Sequence, residues 1–389
     1  MYKIILLIDF SEEYSKELLK GITRYSREKG PWIFCLMPLY NRETLGMEGI
    51  LDWAKEWGAD GIIGQLYNDS SISTIVKSGI PTIAQDFKER FTQIPNITGA
   101  HREAGAMGAD YFLRKGFRHF AFYGFEHIVW SRERSQGFEE RLHQVGHSVH
   151  YFENQEESSE ELWYYKPSAL SQWLTSLPKP IAIMSCDDRL GLHITEACRH
   201  SGIRIPQDVA VLGVDNDGMF CEISDPPLSS IAQDAEKGGY EAARLLESMI
   251  KHGTDKFYDI VVRPTQIVTR QSTDIYATQD ESIAMALKFI HQNIDKNLQV
   301  EDVVRQLPLS RRTLELRFQQ SVGFPIYKYM QNLRMEKFSK KLLETDQAIF
   351  DIALDLGFTD TKNVGRQFRQ VYGYSPQEYR SRFKYTPIN

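Results

Sequence analysis

Cysteine is scarce in this chain: 389 residues contain four, Cys35, Cys186, Cys198 and Cys221, widely spaced and without a C-x-x-C pair. That argues against a disulfide framework or a cysteine zinc site, and for reduced, packed thiols in a cytoplasmic protein. Long apolar runs are missing as well. No stretch approaches the roughly 20 residues of a membrane span. The short run at the N-terminus, Ile4–Ile8, has neither the length nor the cleavage site of a signal peptide. No G-x-G-x-x-G follows a strand-like segment and no Walker-type loop occurs, so nucleotide binding is unsupported. The expectation is a cytoplasmic protein with no membrane partner, metal or cofactor.

What is present is ordinary in bulk and uneven in detail. The length exceeds one small core, so two or three domains are expected. With 42% hydrophobic and 25% charged residues the chain reads as globular. The net charge of −6 divides unequally: from Asp280 onward 17 Lys+Arg face 13 Asp+Glu, and the remainder carries 29 against 39. A basic end on an acidic body suits phosphate contact confined to that end.

Over the first 270 residues strand-like and helix-like segments alternate. Lys3–Ile8, Trp32–Leu36, Gly61–Ile63, Pro81–Ile83, Phe120–Tyr123, Ile181–Met184 and Val209–Val214 read as buried strands. Glu13–Lys29, Glu103–Lys115 and Leu190–His200 read as helices. This pattern predicts an α/β body of parallel sheets with helices on both faces, which binds ligands at strand C-terminal ends. Between Arg263 and Asp280 small polar residues cluster, which predicts a linker over 271–282. The predicted domains are therefore 1–270 and an all-α 283–385.

In that C-terminal region one pattern occurs twice. Val300–Phe318 and Ile349–Phe368 each show a short apolar-periodic helix, a break, a polar cap and a second helix ending in Phe. Two helix-turn-helix units, at about 300–320 and 349–372, can present helices to successive turns of one DNA major groove. Tyr327–Leu343 reads as the helix linking them. Ala353 allows close helix approach and Gly357 the turn. Ser310, and Thr359 or Asp360, are the candidate caps of the second helices. The exposed faces of those helices offer Arg311, Arg312 and Glu315 in the first and Thr361, Lys362 and Arg366 in the second. Arg can bond guanine through two contacts and Glu can accept from cytosine; phosphate contact alone is an equal reading for Arg311 and Lys362. Leu316 and Gly365 occupy reader positions without polar groups.

Two family resemblances follow from quoted residues. Ile352-Ala-Leu-Asp-Leu-Gly-Phe358, Phe368 and Gly373-Tyr-Ser-Pro-Gln-Glu-Tyr-Arg380 resemble the AraC/XylS DNA-binding module over about 100 residues. Ser185-Cys-Asp-Asp-Arg-Leu-Gly-Leu192 and Ile205-Pro-Gln-Asp-Val-Ala-Val-Leu-Gly-Val-Asp-Asn216 resemble the effector domain of LacI/GalR-type repressors. That resemblance implies two α/β lobes joined by crossing strands, with a sugar in the cleft between them. LacI-type chains carry their helix-turn-helix before the first strand, whereas here that unit has moved to the other end and changed type. This combination resembles regulators of pentose operons and implies D-xylose as the favoured effector.

A sugar presents adjacent hydroxyls and a flat apolar face, so its site needs carboxylates, amides, Arg and aromatic rings. Asp187, Asp215 and Asn216 follow strands, and Asp9 ends the first. Arg134 matches an Arg that contacts sugar in the LacI-type pattern, and Trp130 can stack on it. The alternative for all six is capping or turn chemistry; Asp188 reads as the cap of the following helix. His143 and His147 have metal-pair spacing, but Gly146 breaks the helix between them.

The expected protein is a sugar-responsive transcription regulator, an activator of pentose use. It would bind double-stranded promoter DNA as a homodimer and engage RNA polymerase. A sugar receptor for a transporter and a sugar-processing enzyme are the rival classes; neither accounts for residues 283–385.

Overall fold

A computed structural model describes residues 1–9, 11–66, 70–152, 167–253, 257–275, 280–296, 298–358 and 361–383. Two compact units emerge: Met1–Tyr111 with Arg118–Ile275, and Phe112–Phe117 with the chain from Tyr276 onward.

The first unit contains two six-stranded sheets. Its strands are β1 (Lys3–Leu7), β2 (Ile33–Leu36), β3 (Gly61–Gln65), β4 (Thr82–Gln85), β5 (Asn96–Gly99), β6 (His119–Tyr123), β7 (Val149–Tyr151), β8 (Ile181–Ser185), β9 (Val209–Val214), β10 (Ser229–Gln233), β11 (Ile260–Val262) and β12 (Pro264–Val268). One sheet runs β2-β1-β3-β4-β5-β11, wholly parallel; the other runs β7-β6-β8-β9-β10-β12, with only β12 antiparallel. Central strands are continuous apolar runs because helices cover both faces; all six residues of β9 are buried.

The helices are α1 (Glu13–Lys29), α2 (Leu39–Trp57), α3 (Ser70–Ser78), α4 (His101–Arg114), α5 (Val129–His143), α6 (Pro167–Ser176), α7 (Asp188–His200), α8 (Gly218–Ile223) and α9 (Ala235–His252). One face of the first sheet packs Ile4, Leu6, Ile63 and Ile97 against Leu18, Ile22, Ala242 and Leu246 of α1 and α9. The opposite face packs Ile5, Leu7 and Ile62 with Ile50, Ile72 and Ile75 of α2 and α3.

The chain passes between the lobes three times, after β5, after β10 and between β11 and β12. These crossings are bonded to one another: Ala100 N–H donates to Val262 O at 2.7 Å and Asp234 N–H to Arg263 O at 3.0 Å. Both cleft walls therefore hang from one hydrogen-bonded hinge.

Two expectations are corrected. Ile33–Leu36 lies at a sheet edge, with Ile33 and Leu36 exposed rather than buried, because only β1 pairs with it. The hydroxyl-rich run predicted as the start of a linker is partly internal. Gln271–Thr273 form a 3-10 turn in which Ser272 and Thr273 are fully buried. Ser272 Oγ donates to Val211 O and accepts from Ser229 N–H, and Thr273 Oγ1 lies 2.7 Å from the Tyr111 hydroxyl. Small polar side chains imply a solvated loop only when no internal partner awaits them.

The second unit is helical: α10 (Glu281–Asn293), α11 (Val300–Val304), α12 (Arg311–Val322), α13 (Ile326–Glu344), α14 (Ile349–Asp355), α15 (Thr361–Tyr372) and α16 (Pro376–Phe383). Asp280 caps α10 by accepting from Ser282 and Ile283 N–H. One core gathers Ile283, Leu287, Val303, Leu314, Phe318 and Met330. A second gathers Met335, Phe338, Leu342, Ile352, Val364 and Phe368. Helix α13 supplies both cores and is the strut between the two helix-turn-helix units.

Candidate functional site

The main site is a cavity of about 200 Å³ between the two lobes of the first unit. It is walled by residues that follow strand C-termini, where parallel sheets leave side chains and helix N-termini facing a crevice. Asp9, Trp130, Arg134, Asp187 and Asp215 all line it.

Arg134, on α5, is 3% exposed. Its Nη2 donates to Asp215 Oδ1 at 3.0 Å, its Nη1 reaches Asp215 Oδ2 at 3.5 Å, and Nη1 also donates to the Cys186 carbonyl. The guanidinium carbon stands 5.2 Å from the centre of the Trp130 ring, one helical turn earlier. Gln233 Nε2 donates to Asp215 Oδ1 as well. The carboxylate is thus fixed from two sides. Backbone geometry helps aim it: Asp215 has φ 100° and Asn216 φ 53°, values that L side chains seldom adopt and that cluster at functional sites.

Placement of Arg134 depends on two glycines. A Cβ on Gly137 of α5 would lie 2.1 Å from Arg102 O, and one on Gly105 of α4 would lie 2.0 Å from Arg134 O. Only glycine lets these helices approach closely enough to hold Arg134 against Asp215.

The helix cap expected at Asp188 falls on its neighbour. Asp187, not Asp188, caps α7, its Oδ1 accepting from Leu190 N–H at 2.7 Å. Its Oδ2 lies 3.5 Å from Arg189 Nη2, and it remains on the cavity wall. Asp188 turns inward, 2% exposed, and its Oδ2 accepts from Asp217 N–H at 2.7 Å. Burial, reinforced by Asp215, pushes the Asp188 carboxyl well above the ordinary range. In sequence both residues stand at a strand end. Gly213 decides between them, because a Cβ there would lie 2.0 Å from Asp188 Oδ1.

Asn216 is not among the residues lining the cavity. Its Oδ1 accepts from Arg270 Nη2 at 2.9 Å, and its N–H donates to Ser230. Asp9 closes the turn after β1, accepting from Ser11 N–H.

Several lining residues were missed by the sequence reading: Glu12, Gln65, Gln85, Asp86 and His101. Gln65, Gln85 and Asp86 end or follow β3 and β4, so the strand-end rule that selected Asp187 would have found them. Asp86 accepts from the Thr98 hydroxyl and lies 3.3 Å from His101 Nε2. Glu12 gave no signal. Its carboxyl is pushed up to about 7 by loss of water in the cleft, then by Asp187, Asp215 and Asp9.

In the second unit Ser310 caps α12, accepting from Thr313 N–H at 3.2 Å. Gly357 and Gly373 take positive φ, 72° and 78°, at turns between helices. Arg312 on α12 and Arg366 on α15 are exposed and engage no acceptor among the described residues. Arg311 is drawn into an ion pair with Glu301 of α11. Glu315 is half-buried and 3.4 Å from Ile326 N–H. Thr361 and Lys362 fall on the first turn of α15, but their side chains lie outside the described residues, as do Thr359 and Asp360.

Comparison with known proteins follows this division. Residues 109–273 match the periplasmic binding protein-like domain and residues 303–382 a helix-turn-helix domain. The xylose operon regulatory protein of Escherichia coli K12 is 25% identical over 387 residues, covering 97% of both chains. Along this chain a periplasmic binding protein-like domain is thus followed by a helix-turn-helix domain, and over nearly its full length the chain is similar to xylose operon regulatory proteins. The Haemophilus influenzae xylose operon regulatory protein is likewise 25% identical, covering 97% of this chain and 98% of the relative. The solved structure of the xylose-binding transcription activator xylR superposes with a TM-score of 0.61 at 23% identity, covering 99% of both chains. At that identity the superposition establishes the shared fold.

Proposed function

We propose that this protein is a sugar-responsive, DNA-binding transcription regulator, not an enzyme, and that it activates pentose-use genes in the cytoplasm. One observation carries the reading: a cavity furnished with carboxylates, a buried Arg and an indole ring belongs to the same chain as two helix-turn-helix units. Carboxylates each accept two hydroxyl protons, and the Trp130 ring offers a flat face to the sugar's C–H surface. D-xylose is the first effector to test, since the full-length relatives are xylose operon regulators.

In this reading Asp215, Asp187, Arg134, Trp130 and Asp9 contact the sugar, and Asn216 acts from behind by holding Arg270. Arg312 and Arg366 read bases. Arg311, Lys362, Glu315 and Thr361 complete the DNA contact. The protein works as a homodimer and engages RNA polymerase. The sugar favours one lobe arrangement over the other, which is the condition for any ligand to shift a population.

The test is calorimetric titration of the full chain with D-xylose, L-arabinose, D-ribose and D-galactose, followed by promoter binding with and without the sugar that binds. Micromolar binding of one sugar and a changed promoter occupancy support the reading. Promoter affinity indifferent to that sugar would sink the coupling.

A further inference from the structure

The two helix-turn-helix units share one register and differ at one telling place. In α12 the buried pair is Leu314 and Phe318, and in α15 it is Val364 and Phe368. Helical spacing puts the residue midway between each pair on the opposite, outward face. Those residues are Leu316, 58% exposed, and Arg366, also exposed. Equivalent positions on the two second helices therefore carry an apolar group and a cation.

The neighbours of Leu316 narrow what it can meet. Arg311 pairs with Glu301, Arg317 Nη1 lies 3.4 Å from Asp280 Oδ2, and Glu315 Oε2 accepts from Ile326 N–H at 3.4 Å. These groups are turned to their own unit. Arg312, Leu316 and Gln319 stay exposed, and their i, i+4, i+7 spacing draws one stripe along α12. The side chains of Arg312 and Gln319 make no hydrogen bond or ion pair among the described residues. A lone exposed leucine is ordinary on a protein surface. This one sits mid-stripe between an Arg and a Gln, side chains that bond guanine and adenine edges in the major groove. Among the base-edge features of that groove the apolar one is the thymine C5-methyl, and Leu has no polar atom to offer the others.

Resting on the DNA-binding reading above, we propose that Leu316 reads a thymine through its C5-methyl group. The first unit is then sequence-specific at that base without a hydrogen bond, while Arg366 reads a guanine at the corresponding place in the second. The operator is chemically asymmetric, and the asymmetry fixes the direction in which the tandem units lie on the DNA. Reversing the protein would set Arg366 over a thymine, which lacks the paired O6 and N7 acceptors of guanine. It would also set Leu316 over guanine acceptors that it cannot bond and would strip of water.

The experiment begins with selection of the tightest-binding duplexes from a random-sequence library by the full-length protein. Deoxyuridine, which lacks only the methyl, then replaces each thymine of the selected site in turn. At one thymine the change is expected to weaken binding about fourfold, the effect of one buried apolar carbon. Leu316→Ala should erase the difference between thymine and deoxyuridine at that base alone, and Leu316→Arg should move the base selected there to guanine. Because Leu316 is exposed, Leu316→Ala should leave the melting temperature unchanged. A selected site with no thymine whose methyl effect depends on Leu316 overturns the proposal and leaves the DNA-binding reading intact. So does a Leu316→Ala protein that binds every duplex like the natural one but loses transcription, which would set Leu316 against a protein partner. Failure to enrich any sequence overturns the DNA-binding reading and the proposal with it.

Discussion

Arg90 and Glu133 face each other across the two lobes in a forked ion pair, Nη1 to Oε1 at 2.6 Å and Nη2 to Oε2 at 2.5 Å. Arg90 belongs to the segment after β4 in the first sheet; Glu133 lies on α5, which follows β6 in the second. Beside them Arg132 donates to both oxygens of Glu89 at 3.1 Å, and Val129 N–H donates to Phe87 O. Arg90 Nε also donates to Thr98, whose hydroxyl donates to Asp86 on the cavity wall. One charge-assisted latch therefore joins the rim of the cleft to the helix that carries Trp130 and Arg134.

Cutting the latch is expected to loosen the arrangement of the two lobes. Arg90→Ala and Glu133→Ala should each weaken sugar binding several-fold, and a double-mutant cycle should return a coupling of about 1–2 kcal/mol, since both side chains are partly solvated. Independent, additive losses would show that the pair does not bear on closure.

Arg134→Met removes the cation from a nearly buried pair and leaves Asp215 facing only Gln233. A loss of about 3 kcal/mol in unfolding free energy is expected, together with abolished sugar binding. Denaturant titration reads the first and calorimetry the second.

Gly137→Ala tests the helix contact that places this Arg. The added methyl meets the Arg102 backbone, so α4 and α5 must separate, at a cost of about 1–3 kcal/mol. Sugar affinity should fall although no cavity residue has changed. A stable variant with unaltered affinity would remove Gly137 from the account.

On the DNA side, Arg312→Ala and Arg366→Ala should each cost about 1–3 kcal/mol of promoter binding if they contact bases. Both are exposed, so melting temperature and sugar titration should not move. Loss that is uniform across operator variants would mark them as phosphate contacts.

The Glu12 carboxyl, raised from its ordinary 4.5 to about 7, gives a signed pH dependence. Its contribution to stability is fully present below about 4.5 and is lost as pH rises through 7, because the folded chain holds a proton that the unfolded chain has released. Glu12→Gln should raise the melting temperature relative to the natural protein at pH 8 and leave it nearly unchanged at pH 4.5. The reverse order would contradict the crowding of charge around this residue.

The sequence by itself determined the two domains' character, the strand-end position of Asp187, Asp215 and Asp9, and both helix-turn-helix units. These are local properties: apolar periodicity, cap residues and glycine at turns act over a few neighbours and can be read from spacing. Tertiary structure alone decided the rest. Whether Asp187 or Asp188 capped α7 turned on space beside Gly213, a residue 25 positions away. Whether Ser272 and Thr273 formed a linker turned on carbonyls and hydroxyls supplied by β9, β10 and α4. Glu12 carries no local mark, since its raised pKa comes mainly from burial and from Asp187 and Asp215, brought near it from other segments. Charge and close packing act through space, and only the folded chain brings those partners together.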